Sequence, residues 1–221
     1  MSLKSILRIS TLSVLLAAGM AAQAAVVTLT SSGPITIPFS GSQGAASVYP
    51  SIINSAVAGA LVNVNVTLTR LSHTFPDDLD ILLVGPGGQS VLLMSDTGSS
   101  LDIVDVNLTF DDSAANSLGD NSQIVSGTYK PSNYGGIDIF PAPAPAGPYG
   151  SLLSAYNGLA AAGEWRLFIF DDLGGDIGSL ASWSITLTTQ DANDVPEPGS
   201  LALAGLALLG AFGAWRRPSR F

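Results

Sequence analysis

From Val26 to Thr189 the apolar residues come in short runs, and most runs alternate with polar positions. Val62, Val64, Val66 and Leu68 alternate with Asn63, Asn65, Thr67 and Thr69. A period of two predicts a strand buried on one face. The alternation breaks at Arg70-Leu71, which predicts a bulge or bend. In EWRLFIFD, Trp165, Leu167 and Ile169 fall on one face and Phe168 and Phe170 on the other. A strand that is apolar on both faces belongs in the middle of a sheet. Trp183, Ile185 and Leu187 fill one face of the last run, SWSITLTT. The runs VVTLTSS, PITIPFS, DILLVG, SVLLMS and VDVNLTF read the same way, with turns at 41–44, 85–88 and 98–100 between runs. Many short strands and no long amphipathic helix predict an all-β sandwich. SIINSAVAGA, 51–60, is the best candidate for a helical turn. FPAPAPAGPYG, 140–150, has proline at every second or third position and reads as a stiff, extended loop.

The two ends depart from this pattern. Lys4 and Arg8 precede an apolar stretch from Ile9 to Met20, followed by Ala22-Gln23-Ala24. This is the order of a secretory signal peptide, and signal peptidase is expected to cut after Ala24, leaving Ala25 first. At the other end an apolar run from Leu201 to Trp215 follows Val195, Pro196, Glu197 and Pro198. At about fifteen residues it is short for a bilayer span, which takes ~20. Arg216, Arg217 and Arg220 behind it fit a tail held on the cytoplasmic side. The expected organisation is a signal peptide over 1–24, a β-sandwich over 25–190, a linker over 191–199, and a hydrophobic helix with a basic tail over 200–221.

Composition narrows the function. The chain of 221 residues has no cysteine, so a disulfide, a thiolate metal site and a cysteine nucleophile are all excluded. The formal net charge is -9, and only Arg70, Lys130 and Arg166 carry positive charge away from the ends. Such a surface repels phosphate backbones, so no nucleic-acid partner is expected. It suits divalent cations, although acidity also serves solubility alone.

Two stretches concentrate the chemistry. HTFPDDLDILLVGPGG, 73–88, holds the only histidine with Asp77, Asp78 and Asp80, and FDDLGGDIGSLASW, 170–183, holds Asp171, Asp172 and Asp176. Aspartates in turns cap backbone amides. Six carboxylates in glycine-containing loops with few cations also suit calcium, which takes six to eight oxygens, yet neither stretch has EF-hand spacing. Serine catalysis needs a histidine base, for which His73 is the only candidate, and no Gly-x-Ser-x-Gly elbow occurs. The expected protein is not an enzyme. Glu164 and neighbouring aspartates leave an acid pair of the glycosidase kind open. Tyr49, Tyr134, Tyr149 and Tyr156 are candidate sugar-stacking rings, or rings packed under loops.

Two resemblances extend this reading. Val195-Pro196-Glu197-Pro198, the short apolar run and the basic cluster together resemble the PEP-CTERM sorting signal of Gram-negative bacteria. The resemblance implies an exosortase as partner, processing at or near Pro196–Pro198, and transient or permanent insertion in the inner membrane. It also implies a place at the cell surface or in the extracellular matrix, with exopolysaccharide. HTFPDDLDILLVGPGGQSVLLMSDTG is similar to the opening motif of the P domain (P/Homo B) found beside subtilisin-like proprotein convertases. Tyr129, Pro131, Ser151-Leu152, Asn157-Gly158, Gly163-Glu164-Trp165, Gly175 to Leu180 and Trp183 resemble its later part. This implies a jelly-roll-like β-sandwich, P-domain or galactose-binding-like. It also implies calcium as a hypothesis, at Asp77, Asp78, Asp80, Asp171, Asp172 and Asp176. The segment 26–60 is too short for a subtilisin-like fold, so no catalytic domain is expected ahead of the sandwich. The expected function is that of an exported, non-catalytic surface or matrix protein. Alternatives are a carbohydrate-binding module of the exopolysaccharide matrix and a calcium-dependent accessory domain of a secreted protease system.

Overall fold

The longest alternation in the sequence becomes the longest strand, β5 (Ala60–His73), in a computed structural model that describes residues 24–38, 40, 41 and 43–190. Its partner along almost its whole length is β12 (Gly178–Gln190), antiparallel to it. These two form the middle of one sheet. Its order is β1 (Ala25–Thr30), β12, β5, β8 (Ile103–Phe110) and β9 (Gly127–Tyr129), with β2 (Ile35–Ile37) paired beside β12. The second sheet runs β10 (Ser132–Asn133), β7 (Ser90–Ser95), β6 (Leu79–Val84), β11 (Gly163–Asp171) and β3 (Gly44–Ala45), with β4 (Ser51–Ser55) paired to β11. The all-β expectation with two sheets is met.

One apolar core lies between the sheets. From β5 it takes Val64, Val66, Leu68 and Leu71, from β11 Trp165, Leu167 and Ile169, and from β12 Trp183, Ile185 and Leu187. The polar atoms of large core side chains find partners, as buried groups must. Trp183 donates its indole N–H to Ser51 Oγ across the core at 2.8 Å, and Tyr156 donates its hydroxyl to the Leu83 carbonyl at 2.8 Å. The bulge expected at Arg70 is present. Arg70 has φ 54°, and the pairing of β5 with β8 shifts register between Leu68 and Leu71. The shift lets both leucines face the core. A second shift, between Thr188 and Thr189, puts Leu61 in the core and leaves Val62 half-buried.

The helical turn expected in 51–60 is not formed. Ser51–Ser55 is strand β4, with Ser51, Ile53 and Ser55 buried and the residues between them exposed. Period two wins because Ile53 packs opposite Trp165 on β11 and Ser51 meets the Trp183 indole.

The second sheet is covered on its outer face as well. Leu82, Val84, Leu92 and Phe168 form a smaller apolar cluster beneath Phe140, Tyr49 and Tyr149. The continuous apolar run of β6 follows from burial on both faces. The proline-rich stretch lies here as a loop that carries Phe140 and Tyr149 onto this face. Ala25 opens β1, so a cut after Ala24 would leave that strand whole. The expected signal helix, the linker over 191–199 with Val195, Pro196, Glu197 and Pro198, and the C-terminal helix lie outside the described residues. Among the described residues no helix is long and apolar enough to cross a membrane.

Candidate metal centre

Strand polarity gathers the acidic stretches at one end of the sandwich. β5 ends at His73, β6 begins at Leu79, β7 ends at Ser95, β10 ends at Asn133, β11 ends at Asp171 and β12 begins at Gly178. Segments 74–78, 96–102, 134–139 and 172–177 therefore emerge side by side. β12 ends at Gln190, at the opposite end, paired with Ala60.

Beneath these loops sits a closed pair. His73 Nε2 lies 3.3 Å from Asp171 Oδ2, and both side chains are fully buried. The distance allows an ion pair, but neither Asp171 oxygen meets a well-directed hydrogen bond. On its other side the imidazole holds the turn to the short 3-10 helix at Pro76–Asp78, with Nδ1 2.9 Å from the Phe75 carbonyl. Gly178 stands opposite His73 in the β5–β12 register. A Cβ there would collide with the imidazole ring and the Ser72 carbonyl. The later loop is clipped to the earlier one, since the Ile177 amide donates to Thr74 Oγ1 at 3.1 Å and the Asp172 amide to the Asp78 carbonyl at 3.0 Å. His73 is thus a sealed packing and pairing residue.

Outside this pair, on the outer face of the second sheet, lies a hollow of about 310 Å³. Asp80, Asp96, Asp138 and Asp172 line it, with Gly136, Ile137 and Ile139. Asp80 projects from β6 on the face it shares with Leu82 and is 4% exposed. Ser95 Oγ stands 3.0 Å from Asp96 Oδ2 and 2.7 Å from Asp138 Oδ1, and it also neighbours Asp80. A hydroxyl has one proton to give. Three carboxylates therefore compete for a single donor. Asn133 Nδ2 donates to Asp138 Oδ2 at 3.1 Å. No arginine or lysine among the described residues pairs with the hollow, as Arg70 pairs with Asp105 and Arg166 with Glu164.

The electrostatics follow from this geometry. Burial pushes the Asp80 carboxyl up to about 8, and the charges of Asp138, Asp172 and Asp96 add to it against the Ser95 hydroxyl. Asp96 and Asp172 are also raised, first by burial and then by Asp138 among their neighbours. Asp78 is pushed up to about 7, by burial first and then by the carboxyl of Asp176 beside it. Asp171 is raised by burial, against the opposing pull of His73. A dense group of carboxylates that resists ionisation is short of positive charge.

The six aspartates of the sequence reading do not form one site. Asp80 and Asp172 line the hollow, and Asp77 adds its charge to Asp96 and Asp172. Asp78 and Asp176 form a second group, carboxyl beside carboxyl, and Thr74 Oγ1 donates to Asp176 Oδ1 at 3.3 Å. Asp171 belongs to His73. Asp96 and Asp138 are added by the structure. Among the described residues no three His, Asp or Glu side chains already meet as ligands of one ion. The carboxylates ring the hollow rather than converge, so an ion would draw them inward and use carbonyl oxygens as well.

The four tyrosines do not form a stacking platform. Tyr156 is buried against Trp165, and the Tyr49, Tyr134 and Tyr149 hydroxyls donate to the carbonyls of Pro141, Leu118 and Pro145. Each ring is a pin between a loop and the body of the fold.

Fold and tail together define an all-β domain followed by a sorting signal. Residues 194–217 match the PEP-CTERM protein-sorting motif. The chain carries that motif, which implies an exported protein with an exosortase as its sorting partner. No curated protein sequence matches the chain. Among solved structures, the serine protease of Aeromonas sobria is similar over 75% of this chain at 17% identity, with a TM-score of 0.37. The same protease in complex with its chaperone is similar over 76% at 19% identity, with a TM-score of 0.36. The aligned part spans only 27% and 28% of those chains. No common topology follows at these TM-scores.

Proposed function

We propose that this chain is a non-catalytic protein of the cell surface or extracellular matrix of a Gram-negative bacterium, in the company of exopolysaccharide. Its one sandwich, read as a P-domain-like jelly roll, takes calcium between the end loops. The observation that carries the calcium reading is Asp80, a nearly buried carboxylate that shares one hydroxyl proton with Asp96 and Asp138 in a hollow with no basic side chain. Calcium would supply the missing positive charge and bind the oxygens that Ser95 cannot serve. Asp80, Asp96, Asp138 and Asp172 would hold it, in the hollow that Gly136, Ile137 and Ile139 also line.

The test is calorimetry of the exported chain with calcium. Binding is expected, and Asp80→Asn with Asp138→Asn is expected to remove it. Loss through Asp78→Ala with Asp176→Ala instead would move the ion to the second group. Equal melting temperatures in calcium and in chelator would sink the reading, because a ligand selective for the native state must stabilise it. The sorting reading has its own measurement. Mass spectrometry should find a C-terminus at or near Val195–Pro198 only in a host that has an exosortase. Retention of 201–215 in both hosts would make the tail a permanent anchor.

A further inference from the structure

At the pole opposite the acidic loops the start of β5 and the end of β12 meet the loop over 156–162. The Leu61 amide donates to the Leu159 carbonyl at 2.8 Å, the Gly158 amide to the Leu61 carbonyl at 2.7 Å and the Ala161 amide to the Gly59 carbonyl at 3.2 Å. Gly59 has φ 103°, and a Cβ on it would collide with the Gln190 carbonyl. The end of β12 is therefore held in a fixed collar. Within the collar the core opens into a pocket of about 270 Å³, walled by Leu61, Pro86, Leu159 and Ala162 with the Trp165 and Tyr156 rings. Two buried polar atoms at this pole meet no hydrogen-bond partner among the described residues. They are Gln89 Oε1, on the pocket wall, and Thr189 Oγ1, beside Gly59. The Thr189 side chain belongs to a residue only 1% exposed. Buried polar groups are normally satisfied, so two orphans at one pole point to a partner.

We propose that this pocket holds the Val195-Pro196 step of the sorting motif, and so withholds the motif from the exosortase until the segment swings out. This rests on the sorting reading above and adds its regulation. Place selects the occupant. Gln190 pairs with Ala60, next to Leu61 on the pocket wall. Val195 stands five residues beyond Gln190, a reach of at most about 18 Å. Volume agrees, because the pocket is smaller than the roughly 300–1,000 Å³ that free small ligands occupy and suits one or two side chains. So does the chemistry. Val195 is aliphatic, Pro196 brings no N–H into an apolar pocket, and Gln89 Oε1 can accept a neighbouring backbone N–H. A short tether presents the segment at roughly millimolar effective concentration. Contacts too weak to hold a free partner are then enough.

The chain has no cysteine, so an engineered pair of thiols reports contact without background. Val195→Cys would be combined with Ala162→Cys at the pocket rim and, as a control, with Ile137→Cys at the far pole. Ala162 and Ile137 are both exposed, so neither change disturbs the core. Each full chain would be exported in a host that lacks an exosortase, and the disulfide would be scored by mass spectrometry. The bond needs Cα atoms within about 7 Å. The pocket pair is expected to link at least about tenfold more than the control. Equal linkage overturns the docking. Ala162→Trp, which plugs the pocket, should speed processing about threefold or more in a host that has the enzyme, with an unchanged urea midpoint. Linkage of the thiols with unchanged processing overturns the gate. Absence of any processing refutes the sorting reading instead, and the thiol pair, scored without the enzyme, still decides the docking.

Discussion

Without calcium, stability should fall as pH rises, and Asp80 should be the main reason. Its carboxyl is raised from 3.8 to about 8 in the folded protein. A raised acid binds its proton more tightly folded than unfolded. Below about pH 4 both states hold the proton and no penalty exists. From there to about pH 8 the unfolded chain ionises freely and the folded chain does not, so stability drops continuously and then levels off. Four pKa units correspond to roughly 6 kcal/mol, of which about 4 kcal/mol falls between pH 5 and pH 8. That is comparable with the whole stability of a typical domain, roughly 5–15 kcal/mol. Asp78, raised to about 7, acts in the same direction. The assay is urea unfolding in chelator, followed by the fluorescence of buried Trp165 and Trp183 at a series of pH values. Asp80→Asn should flatten the curve, gaining several kcal/mol at pH 8 and little at pH 4. Calcium at pH 8 should recover the loss in the unmodified chain and release protons on binding. A stability that is level or rising from pH 5 to pH 8 in chelator would refute the reasoning. So would an Asp80→Asn variant less stable than the parent at pH 8.

Three further outcomes follow from the same end of the fold. His73→Ala should cost about 3–5 kcal/mol in urea unfolding, because it strands the sealed Asp171 carboxylate. A loss under about 1 kcal/mol would mean that the pair is not coupled. Gly178→Ala should destabilise by about 1–3 kcal/mol, since its Cβ must displace the His73 ring or the Ser72 carbonyl. In a His73→Ala background much of that cost should vanish, and a double-mutant cycle reads the difference. Asp80→Asn should leave exosortase processing unchanged by mass spectrometry, because β12 ends at Gln190, about 40 Å of strand away from the acidic loops.

The strands were legible because each is one short run with its own period. VNVNVTLTRL, EWRLFIFD and SWSITLTT carry their burial in the order of their residues. Segment 51–60 was not legible in this way. Five of its ten residues are Ser51, Ile52, Ile53, Asn54 and Ser55, which suit a helix turn or a strand, and the choice falls to Trp165 and Trp183 far along the chain. The site was half legible for the same reason. Asp80 and Asp172 stood in dense acidic stretches. Asp96 and Asp138 stood alone, and only the pairing of β7 with β6 on one side and β10 on the other brings them to Asp80. The one local sign was Asp138 itself, a single carboxylate between two isoleucines after two glycines.

The two ends of β12 divide the labour of the chain. At Gly178 the strand starts against His73, in a corner where a glycine, a sealed imidazole and a buried carboxylate fit only one way. That rigid corner holds the two acidic loops against each other through Thr74. Of the four carboxylates that line the hollow, this clip fixes Asp172, whose amide donates to the Asp78 carbonyl. At Gln190 the strand ends beside Ala60, and the sorting motif begins at residue 194. The described chain therefore ends at the pole opposite the acidic loops, and the motif an exosortase recognises follows from there in the sequence.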